Sequence, residues 1–233
     1  YHAGLDPETR QQALKLFLEH ERPVLVATVA FGMGVDRGDV GLVLHLDLPA
    51  TPEGYLQESG RAGRDGKPAH CQVLFSPGDR TSLGWAMRAS ARGSDALEDR
   101  RRLDLAQQQL RRMEAVAEGE MCREQALLLA VGELVGPCGR CDRCVDSPKR
   151  RDWSDQVETL LAHLAEQDGT EMRRLGEHLA LHEPGRHDRW TWLARRLVQE
   201  ELIQESNDGA QRLYLRESGR RFLDSPWPLD YAA

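Results

Sequence analysis

The sequence of 233 residues lacks any apolar run that approaches the roughly 20 residues needed to span a membrane. It also lacks a secretory signal, in which basic, apolar and small-residue segments follow one another. It has five cysteines, and four of them are clustered between residues 122 and 144. Without a secretory context, such a cluster indicates metal binding rather than disulfides, and a reducing, cytoplasmic compartment. The first residue is Tyr rather than Met, so we expect an interior fragment of a longer protein.

Two motifs needed to bind and hydrolyse a nucleoside triphosphate are also missing. The sequence has no Gly-x-x-x-x-Gly-Lys-Ser/Thr loop to cradle phosphates, and no Asp-Glu-x-His box to hold magnesium. We therefore expect the chain on its own to be inert in ATP hydrolysis. The net charge of −7 argues only weakly against nucleic-acid binding, because such binding depends on local patches of charge.

Residues 1–75 alternate between helical and short apolar strand patterns, which is typical of an α/β fold with a parallel sheet. Asp6-Pro7 predicts the start of one helix and Thr51-Pro52 the start of a second. The first helix is expected to pack through apolar residues at helical spacing, which are Leu14, Phe17 and Leu18. Short apolar strands are predicted at residues 24–27, 40–46 and 71–75. In the last of them, Cys71 is expected to be a buried thiol.

A glycine-rich run, Gln57-Glu-Ser-Gly-Arg-Ala-Gly-Arg-Asp-Gly66, places Arg61 and Arg64 three residues apart. A guanidinium is always charged and presents a planar fork of donors that fits phosphate oxygens. The small residues around the two arginines would let a polyphosphate approach. One interpretation is therefore a contact with nucleotide phosphates, and the other is a solvated, arginine-rich helix end.

The four clustered cysteines form the pattern C-x15-C-x2-C-x2-C. They are Cys122, Cys138, Cys141 and Cys144. The two CxxC steps bring three sulfurs to one point, Gly139 relieves the tight loop, and the first cysteine comes from a helix predicted at residues 121–134. Four thiolates without an open position suit a structural, tetrahedral zinc. An iron–sulfur cluster and four unrelated thiols are the alternatives.

Residues 154–223 predict three helices followed by a hairpin, which is the pattern of a winged-helix domain. The helices are expected at residues 154–167, 171–181 and 188–200. The hairpin is expected to pair residues 202–204 with 212–215 around Asn207-Asp-Gly209, because Asp-Gly is a strong signal for a tight turn. The segment Lys149-Arg-Arg151 is interpreted as a linker. Residues 224–233, with Pro226 and Pro228, are interpreted as a tail.

The third of these helices has two distinct faces. Its core face is predicted to consist of Trp190, Leu193, Ala194 and Leu197. The opposite face carries Arg189, Trp192, Arg195, Arg196 and Gln199. An indole among arginines is unusual for a solvated surface. The favoured interpretation is a DNA-binding face, with arginines on phosphates and a stacking indole. The alternative is packing on a neighbouring domain, with arginine stacked on tryptophan.

Taken together, four features resemble the C-terminal half of RecQ-family DNA helicases. They are Tyr1-His-Ala-Gly-Leu5, Val26-Ala-Thr-Val-Ala-Phe-Gly-Met-Gly-Val-Asp36, the run from Gln57 to Gly66, and the cysteine cluster. The resemblance covers roughly residues 1–223. It implies a RecA-like motor domain at 1–77, a helical and zinc-binding subdomain at 78–148, a winged-helix domain at 151–223 and a tail at 224–233. The charged helices of residues 78–119 are then either a solvated face or a scaffold for the zinc module.

The resemblance also implies roles for residues of the motor domain. His2, Gly4 and Thr28 would contact the DNA backbone, although His2 could instead only cap a turn. Gly32 and Gly34 would let the protein backbone approach the nucleotide closely. Asp36 would accept a hydrogen bond from a ribose hydroxyl. Gln57 would couple nucleotide to DNA. Arg61 and Arg64 would reach the terminal phosphates, with Arg64 as the arginine finger.

The function implied is that of an ATP-dependent DNA helicase, which unwinds duplex with 3′-to-5′ polarity in recombination and repair near the nucleoid. The cofactors would be structural zinc and, in the full-length protein, ATP and magnesium. The partners would be DNA and an N-terminal motor domain of the same protein, with no membrane. The alternative is a non-enzymatic zinc and winged-helix DNA-binding module with a vestigial motor half. The intact Gln57, Arg61 and Arg64 favour the helicase.

Overall fold

The computed structural model describes residues 1–28, 37–90, 96–147, 149–179, 187–206 and 209–232. The chain divides into two compact units, Tyr1–Ser76 (unit 1) and Pro77–Ala233 (unit 2). Within the described ranges, no helix is both long enough and apolar enough to cross a membrane.

The described part of unit 1 combines helices with a two-stranded parallel sheet. Its elements are α1 (Pro7–Glu19), β1 (Leu42–His45), α2 (Pro52–Ser59) and β2 (His70–Val73). The strands pair in parallel, from Leu42 opposite His70 to His45 opposite Val73. Both predicted helix starts are confirmed: the side chains of Asp6 and Thr51 accept hydrogen bonds from N–H groups of the first turn. A parallel pair joined through a helix is the unit from which α/β sheets are built.

Burial in unit 1 differs from the sequence expectations. Residues 24–27 do not form a strand, and the side chain of Val24 is 92% exposed. No residue of α1 is buried, so its predicted apolar stripe covers no core within the described residues. Cys71 is exposed rather than buried, with its sulfur 3.5 Å from the carbonyl oxygen of Ser59. These expectations were wrong because burial needs neighbouring elements on both faces of a sheet. The described part of unit 1 has only two strands, and they leave the apolar side chains exposed.

Unit 2 begins with helices and continues as a mixed α/β region. The helical part contains α3 (Pro77–Ser90), α4 (Ala96–Glu118), α5 (Arg123–Ala130) and α6 (Asp142–Val145). The mixed part contains β3 (Arg150–Asp152), α7 (Ser154–Glu166), β4 (Thr170–Glu171), a 3-10 turn (Met172–Arg174), α8 (Leu175–His178), α9 (His187–Gln199), β5 (Ile203–Glu205), β6 (Arg212–Leu215), α10 (Glu217–Asp224) and β7 (Asp230–Ala232).

The mixed part of unit 2 folds around one apolar core. β4, β6 and β5 form an antiparallel sheet in that order, which confirms the predicted hairpin of β5 and β6. The predicted core face of α9 is also confirmed, since Trp190, Leu193, Ala194 and Leu197 are all buried. Gly209, beside the hairpin turn, has a positive φ of 86°, which glycine adopts without strain. Residues 207 and 208 lie outside the described residues.

The segments interpreted as a linker and a tail are instead paired strands. β3 and β7 are antiparallel, with Arg151 opposite Tyr231. Trp153 and Tyr231, next to or within these strands, are only 1% and 2% exposed. Two buried aromatic side chains explain why both segments are ordered. The helix predicted at residues 171–181 starts later than expected, at Leu175, because β4 and a 3-10 turn precede it, and residues 180 and 181 lie outside the described residues.

Candidate functional site

The four clustered cysteines converge on one point in unit 2. Cys122 immediately precedes α5, Cys141 immediately precedes α6, Cys144 lies in α6, and Cys138 lies between the two helices. Their sulfurs all lie within 4.8 Å of one another, and those of Cys122 and Cys141 are 3.8 Å apart. Tetrahedral zinc with Zn–S bonds of about 2.3 Å holds its sulfurs about 3.8 Å apart. The donor set and its spacing therefore fit a closed zinc site.

Hydrogen bonds at the cluster favour thiolates. The N–H of Cys138 donates to the sulfur of Cys122 at 3.2 Å. Burial opposes ionisation of Cys122, but the N–H groups of Cys138 and Gln125 outweigh it and lower the pKa to about 6. The N–H of Gly139 favours the Cys144 thiolate, yet burial and the crowded sulfurs raise that pKa to about 11. A central cation resolves this conflict, since a thiol that coordinates a metal loses its proton.

Arg123, which the sequence analysis missed, fastens the cysteine loop to the helices around it. Its guanidinium pairs with Asp142 at 2.7 Å, which joins α5 to α6. The same group donates to the carbonyl oxygen of Ala117 at 2.9 Å, at the end of α4. The predicted helix at 121–134 is shorter than expected, and Cys122 lies at its start rather than inside it. Arg123 directly follows Cys122 in the sequence. This position beside a predicted zinc ligand is the signal from which its structural role could have been predicted.

The glycine-rich run of unit 1 forms a tight series of turns after α2. Gly63 has a φ of 65°, and its N–H donates to the carbonyl oxygen of Val40 at 3.0 Å. A Cβ at Gly63 would lie 2.9 Å from the carbonyl oxygen of Lys67, so a larger residue would not fit. Gln57 is exposed on α2, Arg61 is half-buried, and Arg64 is exposed, with its Nε donating to the carbonyl oxygen of Gly60 at 3.3 Å. The turn therefore presents Arg64 at the surface of unit 1.

His2, Gly4 and Thr28 are the residues of unit 1 that are predicted to contact the DNA backbone. They come from two segments that lie side by side. The N–H of Thr28 donates to the carbonyl oxygen of Tyr1 at 3.0 Å, which places Thr28 beside His2. The Nδ1 atom of His2 accepts a hydrogen bond from the N–H of Gly4 at 3.1 Å, so His2 does cap the turn that it starts. All three residues are exposed. Gly32, Gly34 and Asp36 lie outside the described residues.

The outward face of α9 makes contacts inside unit 2, which favour the packing interpretation, and DNA contact by this face stays a prediction. Arg195 is buried, and its Nε and Nη2 donate to the carboxylate of Glu118 at 2.9 and 2.6 Å. Arg196 pairs with Glu120 at 3.5 Å and with Glu200 at 3.1 Å. The guanidinium of Arg195 is thus already held by a carboxylate whose side chain is 12% exposed. The arginines therefore join α9 to the end of α4.

The aromatic side chain on this face, Trp192, is half-buried and packs against other rings. The ring centre of Trp192 lies 4.9 Å from that of Trp153 and 6.2 Å from that of Tyr231. The guanidinium carbon of Arg189 lies 4.3 Å from the centre of the Trp153 ring, and that of Arg196 lies 5.0 Å from the Tyr231 ring. These contacts are of the kind that the alternative interpretation predicts for this face, with arginine stacked on an aromatic ring.

Comparisons with known proteins match both the region of the glycine-rich turn and the region of the cysteine cluster. The family model described as helicase conserved C-terminal domain matches residues 1–66, and the one described as RecQ zinc-binding matches residues 77–145, which include all four cysteines. The ATP-dependent DNA helicase RecQ of Bacillus subtilis is 36% identical over 163 residues, or 70% of this chain and 26% of the relative. The chain belongs to the RecQ helicase family.

Other RecQ relatives extend the match. The ATP-dependent DNA helicase RecQ of Pasteurella multocida is 33% identical over 183 residues, which cover 78% of this chain and 27% of that protein. The ATP-dependent DNA helicase Q4 of Homo sapiens is 53% identical over 77 residues, or 33% of this chain and 6% of that protein. The chain spans about a quarter of the length of the bacterial relatives. The RecQ zinc-binding match and the four converging sulfurs together identify a structural zinc module.

A buried group of charges in this RecQ chain was also missed by the sequence analysis. Arg80 on α3 pairs with Glu114 on α4 at 3.1 Å and with Glu205 on β5. All three side chains are buried or nearly so. Burial raises the pKa of the Glu114 carboxyl, and Arg80 opposes that rise. These contacts hold the helices of residues 78–119 against the hairpin, whereas Arg100, Arg101 and Arg102 on α4 are exposed, as the interpretation of a solvated face expects.

Proposed function

We propose that this chain is the C-terminal half of an ATP-dependent DNA helicase that unwinds duplex with 3′-to-5′ polarity and serves recombination and repair. The observation that carries the proposal is the glycine turn after α2, which contains Arg61 and exposes Arg64, in a chain that also contains the RecQ zinc module. The relatives are named as ATP-dependent DNA helicases, which supports the same activity here. A non-enzymatic DNA-binding module would have no use for this turn.

In the proposed mechanism, Arg64 acts as an arginine finger. A phosphoryl group in transfer develops negative charge, and an arginine supplied from a second domain stabilises that charge. The nucleotide phosphates and magnesium would be held by an N-terminal motor domain of the same protein. Arg61 would bind the phosphates in the ground state, Gly34 and Asp36 would lie near the nucleotide, and Gln57 would link the nucleotide to DNA.

In the full-length protein, Arg64→Ala is expected to lower the rate of DNA-stimulated ATP hydrolysis by about 10³-fold or more, with nucleotide binding nearly unchanged. The reason is that a finger stabilises the transition state rather than bound ATP. Steady-state hydrolysis and nucleotide titration measure the two effects. Lys67→Ala is the matched control, since Lys67 is a neighbouring cation whose side chain is 79% exposed. Equal losses of binding and turnover would identify a ground-state clamp instead.

We further propose that residues 150–232 are a winged-helix domain, with α7, α8 and α9 as its helices and the β5–β6 hairpin as its wing. DNA contact by the motor domain is assigned to His2, Gly4 and Thr28, because these exposed residues lie side by side. The hydroxyl of Thr28 suits a phosphate contact, and such contacts position a protein on DNA without reading its sequence.

Thr28→Val in the full-length protein is expected to weaken the binding of single-stranded DNA by about two- to tenfold. One lost hydrogen bond is worth about 0.5–1.5 kcal/mol, and the loss would be the same for all sequences. Fluorescence titration with two unrelated oligonucleotides measures it. Thr159→Val is the control, because the exposed Thr159 hydroxyl bonds only its own helix, at the carbonyl oxygen of Asp155. Equal affinities for parent and Thr28→Val protein would remove Thr28 from the DNA track.

A further inference from the structure

Two histidines of unit 2 face each other at the junction of α7 and α8. The Nε2 atom of His163 lies 3.3 Å from the Nδ1 atom of His178, and the ring centres are 5.2 Å apart. The hydroxyl oxygen of Thr170 also lies 3.3 Å from Nε2 of His163. The three residues come from α7, α8 and β4, so the fold rather than local sequence brings their donor atoms together.

The separations are long for hydrogen bonds and suit a shared metal ion. Hydrogen bonds from N–H groups have donor–acceptor distances near 2.9–3.0 Å. A tetrahedral ion with metal–nitrogen bonds of about 2.0–2.1 Å holds two nitrogens about 3.3 Å apart. The Thr170 hydroxyl hydrogen is directed to the carbonyl oxygen of Gln167 at 2.8 Å, which leaves an oxygen lone pair available. The Nε2 atom of His163 thus lies at a ligand-to-ligand distance from both the His178 nitrogen and the Thr170 oxygen.

The surroundings favour neutral imidazoles that are open to solvent. Burial and then His178 lower the pKa of His163, and Glu166 on the same helix opposes that shift. A neutral ring keeps the lone pair that a metal requires. His178 is exposed and His163 is half-buried, so an ion could enter and complete its coordination with water.

We propose that His163 and His178 form a second metal site, separate from the four cysteines, for a divalent transition ion that prefers imidazole nitrogen. Such ions include Ni²⁺, Zn²⁺ and Cu²⁺. Thr170 supplies a weak third donor, and water fills the remaining positions. The bound ion joins the last turns of α7 to the end of α8.

The test uses tag-free chain that already carries one equivalent of zinc, with Ni²⁺ as the probe. Calorimetric titration is expected to show one further equivalent of Ni²⁺. Both His178→Ala and His163→Gln are expected to weaken its binding at least tenfold, and His70→Ala, an exposed histidine of unit 1, is expected to leave it unchanged. The melting temperature should rise with Ni²⁺ in the parent and in His70→Ala but not in the other two variants, since a ligand of the folded state stabilises it.

Two results would overturn the proposal. One is the absence of a further equivalent of Ni²⁺ in the zinc-loaded parent chain. The other is binding that survives His178→Ala at the parent's affinity, which would assign the ion to other histidines. His178→Ala removes an exposed side chain at the end of a short helix, so this variant is expected to fold, and a melting curve without metal checks that it does.

Discussion

Replacing Cys138 by serine is expected to release the zinc and to unfold the segment that contains α5 and α6. A hydroxyl is a poor zinc ligand, and the free energy of binding structural zinc to four-ligand sites is about 10–16 kcal/mol. The apolar core of this segment is small: of its large apolar side chains, Leu127 is buried, while Leu134 and Val145 are 87% and 72% exposed. Elemental analysis should find about one zinc per parent chain and less than half of that in the variant, which should be aggregation-prone.

Cys71→Ser is the matched control for that experiment. Cys71 is the fifth cysteine, it is exposed, and it belongs to unit 1. Its replacement should therefore leave the zinc content and the melting temperature unchanged. Iron in place of zinc, or a Cys138→Ser protein that keeps both its metal and its melting temperature, would contradict the assignment.

Arg195→Ala is expected to destabilise unit 2 by about 3–5 kcal/mol, which corresponds to a fall in melting temperature of roughly 10 °C. The variant leaves the Glu118 carboxylate, only 12% exposed, without its bidentate partner. An uncompensated buried charge is costly, whereas exposed pairs contribute little. Arg102→Ala is the control, because Arg102 and its partner Glu98 are 67% and 57% exposed. Its melting temperature should change by about 2 °C or less.

The same variants test the two interpretations of the outward face of α9. Packing predicts that Arg195→Ala lowers the melting temperature and leaves the salt dependence of DNA binding unchanged. A phosphate contact would instead lower the slope of log affinity against log salt by about one. Titrations at three salt concentrations measure that slope. The exchange Glu118→Arg with Arg195→Glu should recover part of the lost stability if the pair itself is responsible. If Arg195→Ala instead lowers the salt slope of DNA binding and leaves the melting temperature unchanged, this result would favour the interpretation of the face as DNA-binding.

Features encoded by neighbouring residues could be predicted from the sequence. The helix starts at Asp6 and Thr51 depend on side chains that reach only to the next turn. The core face of α9 follows from a spacing of 3.6 residues, and all four predicted residues are buried. The cysteines were identified as a cluster because three of them lie within seven residues, so little chain separates their sulfurs.

Features that depend on distant residues could not be predicted in this way. Nothing near Arg195 in the sequence indicates that its partner is Glu118, which lies 77 residues earlier. β3 has three residues, Arg150, Arg151 and Asp152, and every one is exposed, so it carries no alternation of apolar and polar side chains. The exposure of Cys71 was missed for a related reason, since burial of a strand depends on how many strands flank it.

Because β3 pairs with β7, the first and last residues of the region from 150 to 232 lie next to each other. The N–H of Trp153 donates to the carbonyl oxygen of Leu229 at 2.8 Å, and Arg150 donates to that of Asp230 at 2.6 Å. The chain thus enters and leaves this region at the same place on its surface. Regions with adjacent ends can be moved between proteins or circularly permuted with little disturbance of the host. The backbone hydrogen bonds between β3 and β7 therefore hold the two ends of this region together, so that it can be transplanted as one piece.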